Sequence, residues 1–336
     1  MKAKETSTGL PSSRLVIHDL AQRNGHAEFS QDVLNGLSSR PRHLFPKYLY
    51  DDLGSRLFEA ICEVDEYYLT RSEDQILQKH ADEIIRCVPH CETLIELGSG
   101  SAEKTRHLID AFMRERGRLL FIPVDISATA LLQSSQALLG SYPNLTIDAY
   151  AADYFQALEA LPNPGQPPVL VLFLGSNVGN FEPDGARNFL RAIRRVLRPG
   201  DVLLLGADLK KDRRILEAAY NDALGVTRAF IINELVRINR ELDANFDLWS
   251  FGLRSFFNEA LGRVEVYLES LRAQSVSIRS LNLQVELAAG ERIHVENAYK
   301  FDAEALRTLG DVTGFELERT WLDEKKRFSS NLFRAK

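Results

Sequence analysis

The residues best placed to do chemistry begin with Gly98-Ser99-Gly100, which follow the apolar run Leu94-Ile95-Glu96-Leu97 and lead into a helix-forming stretch. Glycines at the end of a strand let a ligand press against bare backbone. A dinucleotide fingerprint would place a third glycine at 103. Glu103 stands there instead, and a carboxylate at the mouth of the turn disfavours a pyrophosphate. That weighs against a dehydrogenase and for a nucleoside without phosphates, of which S-adenosylmethionine is the commonest. Asp125 closes the next apolar run, where an acid can accept both ribose hydroxyls; the alternative is a helix-cap or loop aspartate. Asp153-Tyr154 follow the third run, a position suited to an adenine amino group with a ring beside it, or else a solvated loop. Lys104 is either a surface lysine or a group that reaches a cofactor carboxylate, aided by a helix N-terminus. Past the fourth run, Gly175-Ser176-Asn177-Val178-Gly179-Asn180 puts amides and bare backbone where a substrate would meet the cofactor. A single helix cap does not need the whole run.

The elements that position these residues follow from hydrophobic spacing. Short apolar runs at Thr93–Leu97, Leu119–Val124, Leu145–Tyr150, Val169–Leu174 and Val202–Leu205 alternate with helical segments near 103–116, 127–139 and 184–197. Strand and helix in alternation predict βαβ units and a parallel sheet, with ligands beyond the carboxyl ends of its strands. Upstream, 28–88 reads as helical, with Ile76, Leu77, Ile84, Ile85 and Val88 on one stripe and an aromatic knot at Glu66-Tyr67-Tyr68. From 208 to 300 the rhythm breaks. Helices at 213–221 and 226–242 lead to alternating segments at Val264–Leu271, Leu283–Leu287 and Ile293–Tyr299. The last two flank Ala288-Ala289-Gly290-Glu291 and read as a hairpin. Strict alternation puts Glu296 and Ala298 on one face together with His294. A helix near 302–309 and two closing strands, Phe315–Trp321 and Phe328–Phe333, complete the chain. The fold expected is α/β: a doubly wound, Rossmann-like core with an antiparallel C-terminal hairpin, plus a second α+β cap domain. Residues 1–25 form a flexible leader and 26–90 a helical segment packing on core and cap. The core spans 91–207 and 301–336, and 208–300 form the substrate-binding cap.

The bulk composition excludes several classes. The 336 residues are 45% hydrophobic with a formal net charge of −6, and no long basic block offers the phosphate contacts that nucleic acid needs. No run of about 18 apolar residues exists, so no membrane span is expected. Met1–Ser13 is polar, without the apolar stretch of a signal peptide, which gives a cytoplasmic protein by default. Of the three cysteines, Cys62, Cys87 and Cys91, the last two sit in Cys87-Val88-Pro89-His90-Cys91. A zinc site wants a second pair of ligands and none is supplied, so no metal is expected and the thiols read as reduced and structural. The partner expected is a small molecule, bound by a monomer.

With these residues in hand, the chain resembles the ergothioneine-pathway histidine N-alpha-methyltransferases, class I S-adenosylmethionine-dependent enzymes, from about residue 28 onward. The motifs carrying the resemblance are Lys47-Tyr48-Leu49-Tyr50-Asp51-Asp52-Leu53-Gly54, Glu66-Tyr67-Tyr68-Leu69-Thr70-Arg71, Glu96-Leu97-Gly98-Ser99-Gly100 with Glu103-Lys104-Thr105-Arg106, and Phe173-Leu174-Gly175-Ser176 with Gly179-Asn180. Ala219-Tyr220-Asn221-Asp222-Ala223 with Gly225-Val226-Thr227, and Glu296 with Lys300-Phe301, extend it. The resemblance implies trimethylation of the α-amino group of L-histidine to hercynine, the first step of ergothioneine biosynthesis. It implies cofactor contacts from Gly98, Lys104, Asp125, Asp153 and Tyr154, with S-adenosylhomocysteine as the second product. On the substrate side it implies that Asn180 and Tyr220 hold the carboxylate and that Tyr67 and Glu296 face the imidazole. Tyr50 would lie near the α-amine, and Gly175 would contribute backbone.

Taken singly, these residues have plainer readings: packing for Tyr67 and Tyr220, a solvated carboxylate for Glu296. Two positions depart from the family pattern. Ala298 stands where a serine is common, removing one hydroxyl to the imidazole worth about 0.5–1.5 kcal/mol, and Val266 stands where some members place methionine. Both point to a larger or less polar side chain, such as tryptophan or tyrosine, as the alternative substrate. A carboxylate at 296 facing an indole edge argues the other way. A non-catalytic S-adenosylmethionine sensor is the more distant alternative.

Overall fold

A computed structural model of the chain describes residues 14–20, 25–161 and 168–336. Its elements in chain order are β1 (Leu15–Asp19), α1 (Gly25–Ser38), α2 (Asp52–Glu63), α3 (Leu69–Arg86), β2 (Thr93–Leu97), α4 (Thr105–Arg116), β3 (Leu119–Asp125), α5 (Ala128–Ser141), β4 (Leu145–Ala151), α6 (Tyr154–Ala160), β5 (Val169–Phe173), α7 (Pro183–Val196) and β6 (Val202–Asp208). They continue with α8 (Arg213–Ala219), α9 (Val226–Leu242), β7 (Phe251–Asn258), β8 (Arg263–Ser270), β9 (Gln274–Ile278), β10 (Leu283–Leu287), β11 (Arg292–Tyr299), α10 (Ala303–Thr313), β12 (Phe315–Leu322) and β13 (Phe328–Ala335).

Eight strands form one sheet in the order β1-β4-β3-β2-β5-β6-β13-β12. The first six run parallel, and β13 and β12 close the edge as an antiparallel hairpin. Parallel strands covered on both faces read as unbroken apolar runs, and β5 is buried along its whole length. Its Leu170 and Leu172 join one core with Ile84, Ile85 and Phe112, while Val169, Val171 and Phe173 join the other with Phe189 and Leu190. Strand order reverses between β2 and β5. The loops leaving their carboxyl ends therefore part and open a crevice.

The expected leader is revised at 15–19. Leu15–Asp19 pairs in parallel with β4 at the sheet edge, a strand whose apolar run stops after three residues at His18 and Asp19. The rest of that expectation, at 1–13 and 21–24, lies outside the described residues. The expected hairpin of 283–287 with 293–299 is also corrected. β10 pairs with β9 through a tight turn that places Asn282 at φ 47°, and β11 pairs with β8. Residues 288–291 do not fold β11 back on β10, because Gly290 N–H donates to Ser270 O and Ser270 N–H to Glu291 O, tying the turn to the end of β8. β8 lies between β11 and β7 in a three-stranded antiparallel sheet. The edge of β11 is covered by the chain at 42–44: Leu44 N–H donates to His294 O and His294 N–H to Arg42 O. Among the described residues no helix is long and apolar enough to cross a membrane.

Candidate active site

The turn after β2 is built on left-handed backbone at Gly98 (φ 79°), Gly100 (φ 50°) and Ala102 (φ 55°). Gly98 and Ser99 both donate to Val124 O, which fastens the turn to the end of β3. A Cβ on Gly98 would stand 2.8 Å from the Tyr154 hydroxyl, whereas one on Gly100 would meet open space. The turn is thus a cradle with a bare floor and an open mouth. Asp125 is turned toward it: Gly100 N–H donates to Oδ2 at 2.9 Å and Ser127 N–H to Oδ1 at 3.0 Å. Asp153 caps α6, with Oδ1 accepting from Phe155 and Gln156 N–H. Its Oδ2 has no partner among the described residues. The Tyr154 ring packs against Phe173 and Phe189, each at 5.4 Å between centroids.

Lys104 is neither a free surface lysine nor an unengaged cation. Its ammonium pairs with Glu73, whose side chain is fully buried on α3. Both Glu73 oxygens also accept from Gly175 N–H, at 3.0 and 2.9 Å. Gly206 on β6 makes room for this carboxylate, since a Cβ there would overlap Glu73 Oε1. One buried acid therefore ties the loop after β2 to the loop after β5. Sequence reasoning missed it, although position 73 lies three and four residues before Ile76 and Leu77 on the buried stripe. Glu96, also buried, accepts from Thr105 Oγ1 at 2.6 Å and leaves Oε2 unpartnered. Desolvation pushes its carboxyl up to about 8.

Beside this cradle lies a cavity that is partly open to solvent. Tyr50, Tyr67, Gly175, Asn180, Tyr220, Glu296 and Ala298 all line it, as does Val266. Gly98, Lys104, Asp125, Asp153 and Tyr154 are not among its lining residues. Asn177 joins the two regions: it lines the cavity and its amide nitrogen is 3.5 Å from where a Gly98 Cβ would be.

Each wall has a local cause. Tyr50 sits between a short 3-10 turn, Pro46–Leu49, and the Asp51 cap of α2. Asp51 Oδ1 takes Gly54 N–H and Asn233 Nδ2, and Oδ2 takes Arg240. The Tyr50 ring meets Phe58 and Phe230 edge-on, and Tyr67 meets Phe58 likewise. Burial raises both hydroxyls well above the usual tyrosine range. Asn180 ends the one-turn Asn177–Asn180 segment, which packs so closely on β11 that a Gly179 Cβ would be 2.7 Å from Tyr299 O. Tyr220 follows α8 and accepts from Lys300 Nζ at 2.8 Å.

Glu296 reaches the cavity through a β-bulge. In the β11–β8 ladder His294 pairs with Tyr267 and Glu296 with the adjacent Val266, so Val295 is an extra residue. The expected grouping of His294 with Glu296 and Ala298 is therefore corrected. His294 lies on the Tyr267 face, where its ring meets Tyr267 and its Nε2 bonds Asn297 Oδ1. Glu296 and Ala298 share the other face with Val264 and Val266. The Glu296 carboxylate has no hydrogen-bond partner among the described residues. Desolvation pushes it up to about 7, against the pull of the Lys300 charge.

The chain matches the family model described as "Histidine-specific methyltransferase, SAM-dependent" over residues 29–335. It is 40% identical to the histidine N-alpha-methyltransferase of Mycobacterium tuberculosis over 318 residues, 94% of this chain and 98% of that one. It is likewise 40% identical to the protein of that name in Mycolicibacterium smegmatis, over 93% of this chain and 97% of that one. It is 30% identical to ergothioneine biosynthesis protein 1 of Neurospora crassa, over 84% of this chain but 32% of that longer one.

Proposed function

Because the chain belongs to the S-adenosylmethionine-dependent, histidine-specific methyltransferases, we propose that it methylates the α-amino group of L-histidine, carrying it to the trimethyl product hercynine in ergothioneine biosynthesis. The observation that carries this reading is the pairing of opposite recognition chemistries in one cavity. Glu296 offers an unpartnered carboxylate to an imidazole N–H, and Tyr220 and Asn180 offer donors to a carboxylate.

S-adenosylmethionine, when bound, supplies the electrophilic methyl. The cradle fits it: Gly98 and Gly100 leave backbone bare, Asp125 stands at the strand end for ribose hydroxyls, and Asp153 keeps one oxygen free for an amino group. Lys104, shared with Glu73, would hold the amino-acid tail. Asn180 and Tyr220 would anchor the histidine carboxylate, and Tyr67 and Glu296 the ring. Orientation of this kind removes much of the entropic barrier to attack by an amine. Burial keeps the Tyr50 hydroxyl neutral, so its role is to accept a hydrogen bond from the α-amine and orient it, not to take its proton. Tyrosine faces also suit a growing ammonium head. Residues 208–300 serve as the substrate-side cap. We take the acting species to be a monomer and place the reaction in the cytoplasm.

Incubating the protein with S-adenosylmethionine and a panel of amino acids, read by mass, tests the proposal. Histidine should gain up to three methyl groups. Ala298 and Val266 favour the second reading: a triple gain on tryptophan or tyrosine with none on histidine would replace the first, and no gain on any amino acid would leave a cofactor sensor.

A further inference from the structure

Beside Tyr220 lies a buried polar cluster that reaches the cavity wall through Lys300 and that the reaction as described does not use. Asp208, at the end of β6, has a fully buried side chain. It accepts from the Tyr68 hydroxyl at 2.8 and 2.9 Å, from Lys300 Nζ at 2.8 Å, and from Lys211 Nζ. Lys211 Nζ also donates to the Tyr68 hydroxyl at 2.6 Å. Lys300 is only 1% exposed, and its neighbours hold its ammonium charged, raising it above the ordinary lysine range. A lysine buried this deeply is costly unless it is paired and hydrogen-bonded.

Lys300 Nζ has two partners among the described residues, Asp208 Oδ2 and the Tyr220 hydroxyl oxygen. An ammonium has donors only. The Tyr220 oxygen must therefore accept from it, which leaves the phenolic proton to be given elsewhere. No described residue accepts that proton, and Tyr220 lines the cavity. The backbone fixes the donor as firmly as the ion pair does: Lys300 N–H donates to Gly262 O and Phe301 N–H to Asp208 O. The same Asp208 donates its own N–H to Ser176 Oγ, at the root of the loop carrying Asn180.

We propose that Lys300, held by Asp208, is a positioning residue for the methylation: by donating to Tyr220 it commits that hydroxyl to donate into the cavity and so presets it for the substrate carboxylate. This rests on the reading of Tyr220 as a carboxylate anchor. Lys300→Gln is the informative change. Its amide nitrogen can still donate to Asp208, while its carbonyl can accept the Tyr220 proton and draw it away from the cavity.

The test is a double-mutant cycle of the full chain with Lys300→Gln, Tyr220→Phe and the pair. Histidine KM, kcat and S-adenosylhomocysteine affinity are measured on proteins whose fold is checked by circular dichroism. Lys300→Gln should raise histidine KM about tenfold or more, the scale of a lost charged-group hydrogen bond, with kcat within about threefold and S-adenosylhomocysteine affinity unchanged. In the Tyr220→Phe background it should add nothing. An equal rise in both backgrounds, a parallel loss of S-adenosylhomocysteine affinity, or an unchanged KM would overturn the inference. If Tyr220→Phe alone leaves KM unchanged, the carboxylate reading itself falls, a distinguishable result. Lys300→Met takes the place of the amide in the cycle should Lys300→Gln fail to fold, with the same expected coupling.

Discussion

Glu296 and Ala298 stand together on the cavity face of β11, and the two carry opposite implications for what binds. A carboxylate without a protein partner asks for a donor, while an alanine at 2% exposure withholds one hydroxyl from the same region. Ala298→Ser should lower histidine KM by about two- to tenfold, the worth of one ordinary hydrogen bond; steady-state kinetics would check it, and a raised KM would show that the alanine matches a larger side chain. Glu296 is the pH-sensitive member of the pair. Its carboxyl sits near 7 before substrate enters, so raising the pH through that value exposes an ionised acceptor and should strengthen histidine binding. Glu296→Gln should remove this rise and cost about tenfold or more in affinity at pH 8. Calorimetric titrations at several pH values would show whether the slope belongs to this residue.

At the scale of elements, the site depends on contacts between loops that are remote in sequence. Gly206→Ala would drive a methyl into Glu73 and loosen both Lys104 and Gly175. We expect a stability loss of about 1–3 kcal/mol, typical of overpacking, with weaker binding of S-adenosylhomocysteine and histidine alike. Denaturant melts and titrations would test this, and unchanged affinities would show that Glu73 merely fills space. The parallel strands are legible in the sequence because a strand buried on both faces needs an apolar run, as in Val169–Phe173. The partner of β10 is not legible, because the choice between β9 and β11 is made by turn hydrogen bonds at Ser270 and by Asn282. β7 and β9 escape notice as well, their polar positions diluting the alternation. The residues lining the cavity are legible as residue types in order. The face of Glu296 is not, since a bulge leaves no mark on composition.

For the molecule as a whole, Glu96 links stability to pH. Its ordinary value is 4.5 and its folded value about 8. Between these the unfolded chain has released a proton that the folded chain keeps, so rising pH favours unfolding throughout that window. Thermal melts from pH 5 to 8 should show Glu96→Gln gaining on the parent as pH rises; a constant difference would place the ionisation elsewhere. The cavity also draws its walls from Tyr50 through Lys300, and Asp208 behind it lies on β6, whose outer edge is paired only by β13. A chain emerging during synthesis thus presents the glycines of the cofactor turn well before it presents Glu296 and Lys300 on the substrate side. Histidine can therefore template no folding step that precedes the emergence of β11, the strand that carries Glu296.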